Sequence, residues 1–184
     1  MSVVLTLALA CVYTELAGYL MHRFLHSGRV AWLTRRHLVH HLELYGPGMK
    51  LRSPVYRDRA VPDGIAGIGW EWLVPSAVLM LGEWLVMLAL GVPGAQQLVF
   101  FAASLAWSWV TFYAAHEAMH VSAPAILRVP IVRDRFLHLR RLHDIHHVAC
   151  IGERFLGNYG MSFHLFDRLF GTYLARVPSS IRSD

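Results

Sequence analysis

The distribution of basic residues is the feature that constrains this chain most. All 17 lysines and arginines lie in two blocks, residues 23–59 and 128–182, while residues 1–22 and 60–127 contain none. The segments without basic residues are largely apolar, and 55% of the whole chain is hydrophobic. A soluble domain of this length rarely combines so apolar a composition with so few charges. The sequence therefore predicts an integral membrane protein with a single domain, residues 1–184.

Three apolar segments are long enough to cross a bilayer. We predict membrane-spanning helices over about residues 2–21, 68–90 and 96–116, because a helix needs about 20 apolar residues to cross a hydrocarbon core of about 30 Å. The turn Gly91-Val-Pro-Gly94 separates the second span from the third, so these two form a helical hairpin. The first span has no basic n-region of the kind found in signal peptides, and we expect it to be retained.

The basic blocks also predict the orientation of the chain. The positive-inside rule places both blocks in the cytoplasm, and a hairpin of two spans returns the chain to the side that it left. The predicted fold is all-α: about three transmembrane helices carry a cytoplasmic, histidine-rich helical cap, residues 22–60 and 117–178. We expect the active site on this cytoplasmic face, in a bacterial inner membrane or, if the protein is eukaryotic, in the endoplasmic reticulum.

Ten of the 12 histidines fall into four groups with the spacing of metal ligands. Residues three and four apart share a face of a helix, so we expect His143, His146 and His147 to direct their rings at one point. Ten imidazoles divide into about five for each of two metal ions, which predicts a dimetal site in the cap. In chain order the groups are His22 and His26; His37, His40 and His41; His116 and His120; and His143, His146 and His147.

The donor set limits the choice of metal. Calcium and magnesium prefer oxygen ligands, whereas imidazole suits iron, copper, nickel and zinc. Structural zinc sites prefer some thiolate, and Cys11 and Cys150 do not have the Cys-x-x-Cys spacing. Soluble di-iron bundles use Glu-x-x-His pairs, which this chain lacks. The residues alone leave a redox-active centre and a zinc site open.

The order of the histidine motifs, followed by Asn158-Tyr159-Gly160 and by Phe166-Asp-Arg-Leu-Phe-Gly-Thr-Tyr173, resembles the fatty acid hydroxylase and sterol desaturase superfamily. The resemblance covers residues 22–173. It implies an integral membrane, non-haem di-iron oxygenase in which the ten histidines hold two iron ions at the catalytic site and O2 is a co-substrate. Members hydroxylate, desaturate or oxidise lipids such as fatty acyl chains, sterols and carotenoids. We expect a lipid hydroxylase, in which zinc can replace iron during purification.

Other functions remain open at this stage. A desaturase or a carotenoid hydroxylase of the same superfamily would carry similar motifs. The compact histidine pattern with Glu15 upstream also resembles the pattern in carotenoid hydroxylases. A zinc-dependent membrane hydrolase could use the same ligands, and stable activity without oxygen would favour it. We exclude nucleic acid as a partner, because the basic charge lies beside lipid and no recognition motif accompanies it. The substrate and the oligomeric state do not follow from the sequence.

Several residues near the histidine motifs are candidates for supporting roles. Glu117, Asp144 and Asp167 could orient the N–H groups of metal ligands. Asn158 is expected in a tight turn beside the site. His138 and His164 are weaker candidates, because neither has ligand spacing to the four groups. Three further acids, Glu15, Glu71 and Glu83, lie within predicted spans, where acids are costly and often functional.

The resemblance also implies a separate electron donor. An acidic ferredoxin, rubredoxin or cytochrome b5 would bind a basic surface. We expect the arginines that precede the last histidine motif to bind this donor, namely Arg133, Arg135, Arg140 and Arg141.

Overall fold

The computed structural model describes residues 2–60 and 69–179, with backbone only at residues 59 and 60. The predicted start of the second span, residue 68, lies outside these ranges. Within them the regular elements are helices and one antiparallel hairpin, in which β1 (Cys150–Ile151) pairs with β2 (Arg154–Phe155). The predicted all-α fold class is therefore confirmed.

Three helical segments of the described chain have the length and apolar composition needed to cross a membrane. Two of them extend further than predicted: the first continues to Leu25 instead of residue 21, and the third to His120 instead of residue 116. His22 and His120, which were predicted in the cap, therefore lie in the last turns of the helices that can span the membrane. The helical pairs of histidines explain the extension, because their i, i+4 spacing needs continued helix. The segments are α1 (Val3–Leu25), α3 (Trp70–Ala89) and Gly94–His120, which comprises α4 (Gly94–Ser108), a π-helical turn (Trp109–Ala115) and α5 (His116–His120).

Close packing joins the first span to the third. A Cβ atom at Gly18 would lie 1.9 Å from Cζ of Phe112, so only glycine permits this approach of α1 to the π-helical turn. Glu15 is buried at the same interface, where its carboxylate accepts hydrogen bonds from Nε1 of Trp107 at 2.8 Å and from Oγ of Ser162 at 2.5 Å. This acid therefore ties α1 to α4 and to the C-terminal segment.

The remaining helices form the cap at one end of the spans. Helix α6 begins at Pro130, because proline is favoured in the first turn of a helix. Its buried side chains recur with helical spacing and include Phe136, His143 and His147. The cap elements are α2 (Ala31–Leu38), a π-helical segment (Val39–Leu44), two 3₁₀ turns (Arg57–Ala60 and Ala125–Arg128), α6 (Pro130–Val148) and α7 (Leu165–Leu169).

Candidate metal centre

The ten predicted histidines come together in two clusters at the same end of the spanning helices. In each cluster one ring nitrogen of every member lies within 4.8 Å of those of the others. The ring of His146 lies against the second cluster, with its centroid 4.6 Å from that of His22 and 4.8 Å from that of His41. The first cluster consists of His40, His116, His120, His143 and His147, and the second of His22, His26, His37 and His41.

The expectation that His143, His146 and His147 converge on one point is wrong. His143 and His147 belong to the first cluster, whereas His146 faces the second. The physical reason is the helical angle of about 100° per residue, which directs positions i and i+4 to nearly the same side and position i+3 about 100° away from i+4. The other H-x-x-H-H motif is divided in the opposite sense, because His37 and His41 join the second cluster and His40 the first.

The distances between ring nitrogens fit shared metal ions. Two imidazole nitrogens that are each about 2.0–2.1 Å from one ion lie about 2.9 Å apart at a right angle and about 3.4 Å apart at a tetrahedral angle. The Nε2 atoms of His143 and His120 are 2.9 Å apart, and those of His143 and His147 are 3.1 Å apart. In the second cluster Nε2 of His26 is 3.3 Å from that of His22 and 3.1 Å from that of His37.

Nε2 of His40 and Nε2 of His146 are among the ring nitrogens that are buried without a hydrogen-bond partner in the described part of the chain. Buried polar atoms are rarely left without a partner in folded proteins. A metal ion in each cluster would satisfy one of them. The residues present therefore fit two metal ions.

Backbone carbonyls and one carboxylate fix the orientation of five of these rings. An imidazole that donates a hydrogen bond from Nδ1 keeps its lone pair on Nε2, which is the arrangement of most histidine ligands. One ring, that of His40, donates from Nδ1 to Oδ2 of Asp58 at 2.8 Å. The other four donate from Nδ1 to a backbone carbonyl oxygen: His22 to Tyr159 (2.8 Å), His120 to Leu51 (3.0 Å), His146 to Gly157 (2.7 Å) and His147 to Tyr45 (3.0 Å).

Burial keeps the cap histidines neutral. Desolvation lowers the pKa of His143, His146 and His147 well below 6.5, and the neighbouring imidazoles lower it further. The same two causes act on the pKa of His37 and His41. Neutral imidazole is the form that binds a metal ion, so these clusters are ready for metal binding at neutral pH.

The C-terminal motifs position two of the rings. The carboxylate of Asp167 accepts hydrogen bonds from the backbone N–H groups of Tyr159 and Gly160 and from Oγ1 of Thr172, each at 2.8 Å. A Cβ atom at Gly160 would lie 2.7 Å from Oδ2 of Asp167, so glycine is needed there. Because Asp167 fixes this loop, the carbonyl groups of Tyr159 and Gly157 stand where His22 and His146 need acceptors.

The predicted turn at Asn158 is present and is tied to α6. Asn158 has a left-handed backbone, with φ of 57°. Its side-chain amide donates to the carbonyl oxygens of Leu142 at 3.1 Å and Leu174 at 2.9 Å, and its oxygen accepts from the N–H of Leu174 at 2.8 Å. Asn158 therefore joins the helix that carries the last histidine motif to the C-terminal segment.

The other predicted supporting residues have different surroundings. Asp144 pairs with Arg52 instead of a histidine. His138 is exposed on α6. His164 is buried, with a left-handed φ of 49°, and neither of its ring nitrogens has a hydrogen-bond partner in the described part of the chain. Glu117 lines the cavity described below.

Sequence reasoning missed Asp58 and the backbone carbonyls that hold the rings. Carbonyl groups carry no sequence signal, because every residue has one. Asp58 had a weak signal, since it is one of two acids in the basic block that includes the first histidine motifs. Sequence reasoning also counted Arg140 among the exposed arginines, but Arg140 is buried and donates to the carbonyl oxygens of Met119 at 3.1 Å and Val121 at 2.7 Å.

A cavity of about 1030 Å³ leads from the clusters into the space between the spanning helices. One end is lined by His37 of the second cluster and by His40 and His116 of the first. The walls between the helices are mostly apolar, with Met21, Leu73, Leu79, Met80 and Phe112 among the lining residues. The cavity is large enough for a lipid-sized molecule.

Three helices that can span a membrane, two clusters of buried imidazoles that could hold metal ions and an apolar cavity that reaches both clusters are the features of a membrane metalloprotein with a chamber for an apolar ligand. A model of the fatty acid hydroxylase family matches residues 7–172, so the chain belongs to that family. It is a membrane enzyme of the lipid hydroxylase and desaturase type. Comparisons with curated proteins and with solved structures gave no match.

Proposed function

We propose that this protein is an O2-dependent di-iron hydroxylase that attacks a C–H bond of a membrane lipid. The observation that carries the proposal is the apolar cavity, whose inner end is lined by histidines of both clusters. Two iron ions bound there would supply the reductive activation of O2 that such a reaction needs. The family membership supports an oxidative reaction on a lipid rather than hydrolysis.

The proposed ligands are the ten clustered histidines. One ion takes the five members of the first cluster, and the other takes the four members of the second cluster together with His146. Asp58 and the four backbone carbonyls keep Nε2 of their histidines available, as acceptors behind metal ligands generally do. Because all ten ligands are neutral, the protein offsets little of the charge of the metal ions.

The cavity walls bind and orient the substrate in this proposal. The ring of Trp72 lies 5.8 Å from that of His22, 5.6 Å from that of His37 and 6.1 Å from that of Phe112. These aromatic side chains form an apolar boundary beside the second cluster. A lipid chain between the helices would present one carbon at this boundary, where apolar walls exclude water.

The proposal is tested by lipid mass spectrometry on membranes from cells supplied with iron and 18-O oxygen gas. The native protein is compared with His147→Ala, which removes a proposed ligand, and with His138→Ala, which removes an exposed histidine from the same helix. We expect a lipid heavier by one labelled oxygen with the native protein and His138→Ala but not with His147→Ala. A lipid that loses two hydrogens would identify a desaturase, and no oxygen-dependent change with two metals bound would favour the zinc hydrolase.

We further propose that an acidic electron donor binds the cap on the cytoplasmic side. The exposed arginines of α6 are Arg133, Arg135 and Arg141. Replacing these three with alanine should slow turnover with the protein donor but not with a small chemical reductant, because only the protein donor needs the charged surface. Arg29→Ala, an exposed arginine outside α6, is the control. Equal loss with both reductants would contradict this binding surface.

A further inference from the structure

A polar pair interrupts the apolar walls between the spanning helices. Tyr13 of α1 donates a hydrogen bond from its hydroxyl group to Oε1 of Glu83 of α3. Both side chains line the large cavity, and both also line a second cavity of about 500 Å³ that lies farther from the histidines. The pair therefore stands at the junction of two cavities.

Glu83 differs from the other two acids of the spans. Glu15 is buried and already accepts two hydrogen bonds, and it does not line either cavity. Glu71 also lines the large cavity, but it does not line the second one and lies in the first turn of α3, at the end where the histidine clusters are. Glu83 lies deep within α3 and faces open cavity space. An acid inside a span is costly, and its position facing a cavity marks a ligand pathway more often than a structural contact.

The distance from the clusters can be read along α1. Tyr13 precedes His22 by nine residues, which corresponds to about 14 Å of helix. An extended chain advances about 1.2 Å per bond, so about twelve bonds separate a group at the pair from a carbon at the clusters. A lipid in the cavity would thus reach the pair with its far end.

The charges that line the cavities restrict that end group. Among the described residues, the arginine that lines the large cavity is Arg36, next to His37 at the histidine end, and no lysine or arginine lines the second cavity. An anionic group would therefore be stabilised at the histidine end and not beside Glu83. A neutral hydroxyl group can donate to the carboxyl group of Glu83 without bringing charge into the span.

We propose that Tyr13 and Glu83 form a subsite for a neutral hydroxyl group at the far end of the substrate. The substrate class is then a lipid alcohol whose attacked carbon lies about twelve bonds from its hydroxyl group. Ser104 is a further polar residue that lines the large cavity. The inference rests on the proposed function in one respect, that the cavity holds the lipid substrate.

The test measures binding and needs no turnover. Tritiated 1-dodecanol is bound to the purified, metal-loaded protein in detergent by a scintillation proximity assay and displaced by unlabelled 1-dodecanol, 1-methoxydodecane or dodecanoate. The methyl ether keeps the chain and the oxygen but cannot donate a hydrogen bond. We expect the ether and the carboxylate to compete at least about tenfold more weakly than the alcohol, since a hydrogen bond to a carboxyl group is lost.

Variants assign the preference to Glu83. Glu83→Met has a similar shape without acceptors and should abolish the difference between alcohol and ether, whereas Glu83→Gln keeps one acceptor and should retain part of it. Leu85→Ala, which changes an exposed residue two positions further along α3, should behave like the native protein. Equal competition by alcohol and ether in the native protein, or an unchanged tenfold difference in Glu83→Met, would overturn the subsite.

This outcome is separable from that of the proposed function. A native protein that prefers the alcohol but oxidises no lipid would support the subsite and contradict the hydroxylase. Oxidation of a lipid without any preference for the alcohol would support the hydroxylase and contradict the subsite.

Discussion

Replacing Asp167 with asparagine tests whether the C-terminal loop positions the histidines. Oδ1 would keep the bonds from Tyr159 and Thr172 but as a neutral acceptor, at a cost of about 1 kcal/mol each. The new NH2 group would face the N–H of Gly160 across 2.8 Å and leave it without an acceptor, at a cost of about 1–3 kcal/mol. Removal of a buried charge offsets part of this loss, because burial raises the pKa of Asp167 and so disfavours its ionised form.

The net loss of stability is about 3 kcal/mol, which corresponds to a fall in Tm of about 6–12 °C for a chain of this length. The carbonyls of Tyr159 and Gly157 would shift, and loss of such acceptors lowers metal affinity about 10–100-fold. We expect elemental analysis after dialysis against a chelator to find that Asp167→Asn keeps one metal where the native protein keeps two. The control is Asp134→Asn, an exposed acid on α6. An Asp167→Asn protein with two metals and the Tm of the control would refute the positioning role.

Three other changes test the packing and the charge states. Gly18→Ala should destabilise the protein by about 1–3 kcal/mol, because its Cβ atom would overlap the ring of Phe112. Gly82→Ala, in open space on α3, should be neutral or stabilising. Thermal unfolding in detergent measures both, and equal Tm values would refute the predicted close contact. Asp58→Asn should weaken metal binding about tenfold, because it removes the carboxylate that holds Nδ1 of His40. A metal-competition titration measures this, and Tyr56→Phe, which removes the other hydrogen bond to the same oxygen of Asp58, is the control for general disturbance. Burial lowers the pKa of His164 from 6.5 to about 3, so between these pH values the unfolded state binds more protons than the folded state and stability falls as the pH falls. Below pH 6.5 the native protein should therefore lose about 1.4 kcal/mol of stability per pH unit relative to His164→Gln. Parallel curves of stability against pH for the two proteins would contradict this.

The sequence predicted the spans and the histidine groups because both depend on local patterns. Hydropathy is a property of consecutive residues, so the three apolar segments can be recognised from the sequence without knowledge of tertiary contacts. The helices end four residues beyond the predicted ends of the first and third spans, because each helix continues through the polar histidines that follow its apolar run. Pattern reasoning also treated H-x-x-H-H as one face, since a single helix gives no sign that metals lie on two sides of it.

Contacts between distant segments explain the residue roles that the sequence did not predict. Glu15 looked like a candidate functional acid, but its partners Trp107 and Ser162 are far along the chain. Arg140 looked like one of four equivalent surface arginines until the fold buried it against the end of α5. In both cases the residue type was visible and the partner was not, because tertiary packing decides whether a charge faces solvent, cavity or another helix.

Each H-x-x-H-H motif contributes one histidine to the site that the other motif mainly forms, so the two metal sites become complete at different stages of biosynthesis. Under the proposed assignment, residues 22–41 supply four ligands to the second site and His40 to the first, while residues 116–147 supply four to the first and His146 to the second. The growing chain therefore exposes a four-histidine group before the ribosome has made α6. That half can capture an ion early, whereas the first site can close only on a nearly finished chain. The cell's metal supply at the ribosome, and not only the finished protein's affinity, then decides which ion occupies the earlier site.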